Sequence, residues 1–137
     1  MNGHLVEKIK RIISSQHKIK SMLMLHQVAI EYSPNESTDS FIVIQRLECL
    51  IKGIDALLLL VSEEERMILN LHLVYGMKWE SVIEEYEKHW TYDRGTDKRT
   101  YLYRQQTALK KIALYVNQYS KKIDFSWMDD PFFQNPD

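Results

Sequence analysis

Between Leu60 and Val116 the chain sets three amphipathic stretches around one glycine, an arrangement that few folds accept. Ser62-Glu63-Glu64-Glu65 has the form of a capping box, a serine followed three positions later by a glutamate. Three carboxylates in a first turn also complement the helix dipole, so this acid cluster reads as helix initiation. Met67, Ile68, Leu71, Val74 and Tyr75 then fall on one helical face. Gly76 is placed to stop that helix in the left-handed conformation. Trp79, Val82, Ile83, Tyr86 and Trp90 predict a second amphipathic helix immediately after it. A stop, a short turn and a new helix make the first half of a helix-turn-helix.

The third stretch comes after a polar insert. Residues 91–97, TYDRGTD, have loop composition, and Thr96 or Asp97 is suited to cap the next helix. Tyr101, Leu102, Ala108, Leu109, Ile112, Ala113 and Val116 are expected toward the core. Lys98, Arg99, Thr100, Tyr103, Arg104 and Gln105 are expected outward. The formal net charge is only −1, but residues 91–122 carry eight Lys/Arg against two Asp. A basic segment inside a near-neutral chain is compatible with local contact to nucleic acid.

The remainder supports an all-α reading. Four Gly and three Pro leave little turn chemistry for 137 residues. Residues 4–31 space Leu5, Ile9, Ile12, Ile13, Ile19, Leu23 and Val28 for one long helix or two shorter ones. Their lysines and Arg11 would form a solvated face. SPNESTDS at 33–40 is a break, with Thr38 or Asp39 as a cap. From Phe41, the positions Ile44, Leu47, Ile51, Ile54 and Leu58 predict a helix with a buried stripe, with Cys49 as a small core residue beside it. ALLLLV, 56–61, is apolar all round and is expected to be deeply buried or to form a subunit interface. The tail IDFSWMDDPFFQNPD holds four aromatic residues and is expected to pack back on the domain.

Several function classes lack their residues. There is no glycine-rich phosphate loop, and the five histidines form no i,i+3 or i,i+4 pair. A single cysteine cannot build a structural zinc site or an internal disulfide and fits a reducing compartment. No apolar run is long enough to span a bilayer. The opening MNGHLVEKIKRII lacks the apolar core of a secretory leader. The expectation is a cytoplasmic binding protein with no catalytic residue, metal or cofactor and no membrane association.

The Ser-Glu-Glu-Glu start, the helix to Tyr75-Gly76 and the Trp79-Glu80-x-Val82-Ile83 helix resemble region 4 of bacterial sigma factors. The run Tyr101-x-Tyr103-Arg104-x-x-x-Ala108-Leu109-x-x-Ile112-Ala113 looks closer to the ArpU-type phage transcriptional regulators. The resemblance covers about residues 56–116. The chain departs from the pattern at Lys78, where a capping Ser or Thr is usual, at Ile83, where a small Ala is usual, and in a longer connection before the third helix.

The resemblance implies a helical bundle with a C-terminal sigma region-4-like helix-turn-helix. Residues 1–59 would support or dimerise, 60–119 would hold the DNA-binding region, and 120–137 would be an acidic aromatic tail. It implies a phage or prophage regulator of late or lysis genes that binds double-stranded DNA. Arg99 and Arg104 would take guanine, Gln105 adenine, and Thr100 and Tyr103 a phosphate or thymine methyl. Lys78, Lys98, Lys110 and Lys111 would hold phosphates. A homodimer through Leu57–Val61 is a further expectation. The alternative is a sigma-like interaction protein that binds RNA polymerase or another regulator without touching DNA.

Overall fold

The computed structural model describes residues 2–90 and 97–134. Among them the chain is all-α, with six helices and no strand. They are α1 (Asn2–Ser14), α2 (Gln16–Tyr32), α3 (Thr38–Leu58), α4 (Glu63–Leu69), α5 (Trp79–His89) and α6 (Lys98–Tyr119). Short 3₁₀ turns at Pro34–Glu36, Ser126–Asp129 and Pro131–Phe133 complete the described chain.

The N-terminal amphipathic stretch is two helices, and two serines divide them. Ser14 Oγ donates to Lys10 O and Ser15 Oγ to Arg11 O, each at 2.8 Å. Hydroxyls that bond back to carbonyls four residues earlier compete with the helical ladder and bend it. The chain then runs out along α2 and returns along α3 as an antiparallel hairpin. Buried Gln16 donates from Nε2 to Asp55 Oδ1 at the base, 2.8 Å, while His26 Nδ1 and Ser40 Oγ meet near the tip at 2.9 Å. Ser37, not Thr38 or Asp39, occupies the N-cap of α3. Its hydroxyl donates to Ala29 O and Ser33 O and so closes the connection instead of capping α3.

One main core draws on five of the six helices and on the tail. Ile9, Ile12 and Ile13 of α1, Leu47, Leu50 and Ile54 of α3, Leu69 of α4, Leu109 and Ile112 of α6, and Met128 and Phe133 of the tail are all buried in it. Burying each such side chain contributes about 2 kcal/mol before conformational entropy is charged. α1 packs along α6, so the N-terminal half is part of the support on which the third helix rests. A smaller aromatic cluster of Ile68, Trp79, Val82, Tyr86 and Tyr101 joins α4, α5 and α6.

The tail packs on the domain as its aromatic content predicts. Trp127 lies over Gly53 of α3, where an added Cβ would sit 2.6 Å from the indole. The tail's acids are used as well: Asp129 pairs with Lys8, and Asp130 takes Arg46 through two hydrogen bonds of 2.8 and 2.5 Å.

Three readings of apolar residues need correction. Cys49 is exposed on α3, since the buried stripe runs through Leu47, Leu50 and Ile54 and leaves position 49 on the outer face. α3 ends at Leu58, so ALLLLV is not helical throughout: Leu57, Leu58 and Val61 are buried within the chain, whereas Ala56 and Leu59 face solvent. Of the segment expected to form a dimer interface, Leu57, Leu58 and Val61 are committed to the core, and Leu59 and half-buried Leu60 are left to meet a second copy. Val28, Phe41, Tyr75 and Leu102, each assigned to a core stripe, are exposed.

Candidate nucleic-acid interface

The three-helix unit is built by local signals that act as its sequence requires. The capping box at Ser62 is complete: Ser62 Oγ accepts from the Glu65 N–H at 3.1 Å, and the Ser62 N–H donates to Glu65 Oε1 at 3.0 Å. After α4 the chain continues helically in a wider π turn over Asn70–Val74. The wider turn is closed by Tyr75 N–H to Asn70 O, 2.9 Å, and Met77 N–H to Leu71 O, 3.0 Å. Between them sits Gly76 at φ 66°, the one positive φ among the described residues. α5 then starts at Trp79 with Lys78 as an N-cap that makes no side-chain bond. α6 starts behind Asp97, whose carboxylate accepts from the Thr100 N–H at 3.2 Å. Thr96, the other candidate cap, and the rest of the insert at 91–96 lie outside the described residues.

A polar and aromatic joint fixes α6 against the preceding elements. His72, in the π turn, stacks on Trp79 with ring centroids 3.9 Å apart. Its Nδ1 lies 2.7 Å from Gln105 Oε1 of α6. One turn earlier on the same face of α6, Tyr101 meets Tyr86 edge to face at 5.3 Å, and its hydroxyl donates to Glu87 at 3.3 Å. Stacked and edge-on rings of this kind add ~1 kcal/mol each beyond their buried area.

These contacts redistribute the predicted site residues. Gln105 is buried, so it is a joint and not a base reader. It stands four residues from both Tyr101 and Leu109 and therefore belongs to the apolar face that those residues define. Arg104 is folded inward. Its guanidinium carbon lies 5.6 Å from the Tyr86 ring centroid and 5.3 Å from that of Tyr101, a cation–π position on both rings. Lys111 reaches Glu65 Oε2 at 2.7 Å. Burial alone would raise the Glu65 carboxyl, but the bonds from Lys111 and Ser62 outweigh it and hold it below its ordinary range. Arg104 thus braces the unit from a half-buried position, and Lys111 ties α6 to α4 at the surface.

The residues left outward form a narrower set. Arg99, Tyr103 and Lys110 are exposed, and Gln106, not among the residues singled out from the sequence, is exposed between them. Their spacing of four, three and four places them on one stripe opposite the buried face of α6. The position of Gln106 was discoverable, because it sits one residue beyond the core stripe through 101, 105 and 109. Lys98 at the start of α6 and Lys78 at the start of α5 are also exposed, and Thr100 is half-buried beside the Asp97 cap. The Arg99 side chain is 93% exposed and only 4.0 Å from Asp97, a surface pair that binding could break at little cost. α5 contributes no comparable basic face: Glu80, Glu84 and Lys88 are exposed, with Lys88 paired to both Glu84 and Glu85.

No His/Cys/Asp/Glu group with metal-binding geometry occurs among the described residues, and none of their helices is long and apolar enough to cross a membrane. Comparison with protein-family models, curated proteins and solved structures finds no match.

Proposed function

We propose that this chain is a sequence-specific DNA-binding transcriptional regulator, and that α6 is its recognition helix. The reading rests on one observation: α6 is packed on the domain by its inner face and displays Arg99, Tyr103, Gln106 and Lys110 as one outward stripe. An α-helix that enters the major groove reads base edges with its N-terminal turns. Arg99 is then the guanine reader, and Gln106 replaces Gln105 as the amide that pairs with adenine. Tyr103 supplies a phosphate contact or an apolar edge. Lys78, Lys98 and Lys110 hold phosphates, which fix register and make affinity depend on salt. Arg104 and Lys111 act through the shape of the unit.

The sequence resemblance extends the proposal to the ArpU-type phage and prophage regulators of late or lysis genes. The chain would work in the cytoplasm by binding alone, with double-stranded DNA as its partner and RNA polymerase as a further one, and would carry out no chemistry of its own.

One observation favours the rival reading, an interaction protein that binds polymerase or another regulator. The outer face of α5 is acidic, and phosphates would avoid it. Binding of the purified protein to genomic DNA fragments without polymerase separates the two. Selective retention of a few fragments supports the DNA reading, and no retention at low salt supports the rival.

A further inference from the structure

The outer end of the α2–α3 hairpin is apolar where a solvated helix face is expected. Met24, Leu25, Val28 and Tyr32 are 64, 61, 58 and 89% exposed, and Phe41 and Ile42 at the start of α3 are 53 and 65% exposed. The four α2 residues recur at intervals that keep them on one stripe, turned away from the side that packs on α3. Monomeric proteins rarely leave contiguous apolar patches larger than a few hundred Å² in water.

We infer that this stripe is a self-association surface, which pairs with the same stripe of a second copy of the chain in antiparallel fashion. Two features select a second copy as the occupant. The first is area. The four α2 side chains expose roughly 500 Å², so a two-fold pairing removes up to roughly 1,000 Å², about the least that a specific interface buries.

The second is charge. Residues 21–45 hold Glu31, Glu36 and Asp39 and no Lys or Arg, whereas Lys20 and Lys52 are exposed nearer the hairpin base. A surface that is acidic at one end and basic at the other is complementary to itself when inverted, as an isologous interface requires. With the two-fold axis at Val28, Tyr32 of one copy lies opposite Met24 of the other. The acidic tip then approaches Lys20.

This pairing uses none of the residues of the Leu57–Val61 segment, and it stands whether or not α6 binds DNA. The test is the solution mass of the full chain by analytical ultracentrifugation at tens of micromolar, for the native protein and for the double variant V28E/Y32E. Both positions are exposed, so the variant keeps its helical circular dichroism and melting transition if only an interface is lost.

The expected result is a mass of two chains for the native protein and of one chain for the variant. A second arm uses V28C with Cys49→Ser, in which mild oxidation should yield a disulfide-linked dimer in high fraction. A native mass of one chain, a variant that stays dimeric, or a Val28→Cys protein that cross-links no faster than one with cysteine at exposed Lys121 would overturn the inference.

Discussion

His72 Nδ1 and Gln105 Oε1 lie 2.7 Å apart, and that single bond joins the turn after α4 to the middle of α6. Because His72 also stacks on Trp79, the bond links all three helices of the unit formed by α4, α5 and α6. With the amide oxygen as acceptor, the imidazole carries a proton on Nδ1. Replacing Gln105 with leucine leaves His72 without this partner and should cost about 1–3 kcal/mol. Thermal melting reads the loss. If Gln105 instead read bases, the variant would melt normally and lose only sequence selectivity.

Gly76 should tolerate no side chain cheaply, although nothing lies within 4 Å of a Cβ added there. The obstacle is the backbone, since φ 66° is the left-handed region that L-residues avoid. Gly76→Ala is expected to destabilise the chain by ~1–2 kcal/mol, and Gly76→Asn by less. Denaturant unfolding of the two variants checks the order.

Gly53 presents the opposite case. Its backbone is ordinary helix, but a Cβ would meet the indole of Trp127 at 2.6–2.8 Å. Alanine there gains up to ~1 kcal/mol of helix propensity while it pushes the tail off α3. The two effects oppose each other in melting, so the readout is the tail itself. Gly53→Ala should speed proteolysis near Trp127 and shift its fluorescence, while the rest of the core stays protected.

The tail's hold should also weaken in acid. The hydrogen bonds from Arg46 keep the Asp130 carboxyl below its ordinary range against the opposing effect of burial, and the Phe132 N–H helps. A lowered carboxyl contributes its stabilisation fully at neutral pH and loses it as pH falls through the folded value, below about 4. Because Arg46 is nearly half exposed, solvent screens the pair, and its worth is about 1 kcal/mol. Trp127 emission followed from pH 6 to 2 should report tail release. Asp130→Asn should show weaker docking at neutral pH and little further change on acidification.

Much of this fold was legible because its signals are local. The Ser62 capping box, the Gly76 stop and the Asp97 cap each depend on residues within a few positions, and each forms. Periodicity found the core stripes of α1, α3 and α6 but could not fix their edges. Leu102 is an apolar residue at the edge of the buried stripe of α6, and the stripe's neighbours decide its exposure. The candidate site was less legible for a related reason. Arg104 and Lys111 look like solvent-facing cations until α4 and α5 bring Tyr86 and Glu65 beside them, and those partners lie 18 and 46 residues away in the chain. Gln105 and Gln106 are chemically identical neighbours, and only the helix phase sends one inward and the other out.

The outer stripe of α6 should bind DNA through Arg99, Gln106 and Lys110. The measurement is affinity for a selected genomic fragment across a salt series, for the native chain and for Arg99→Ala, Gln106→Ala and Lys110→Ala. Affinity should fall steeply with salt, with a logarithmic slope of at least about −3 from Lys78, Lys98 and Lys110. Lys110→Ala should reduce that slope by about 1 and weaken all sequences alike, whereas Arg99→Ala and Gln106→Ala should each cost about 1–3 kcal/mol on the selected fragment only. Native-like affinity and selectivity in all three variants, or no binding by the native chain at low salt, would contradict it.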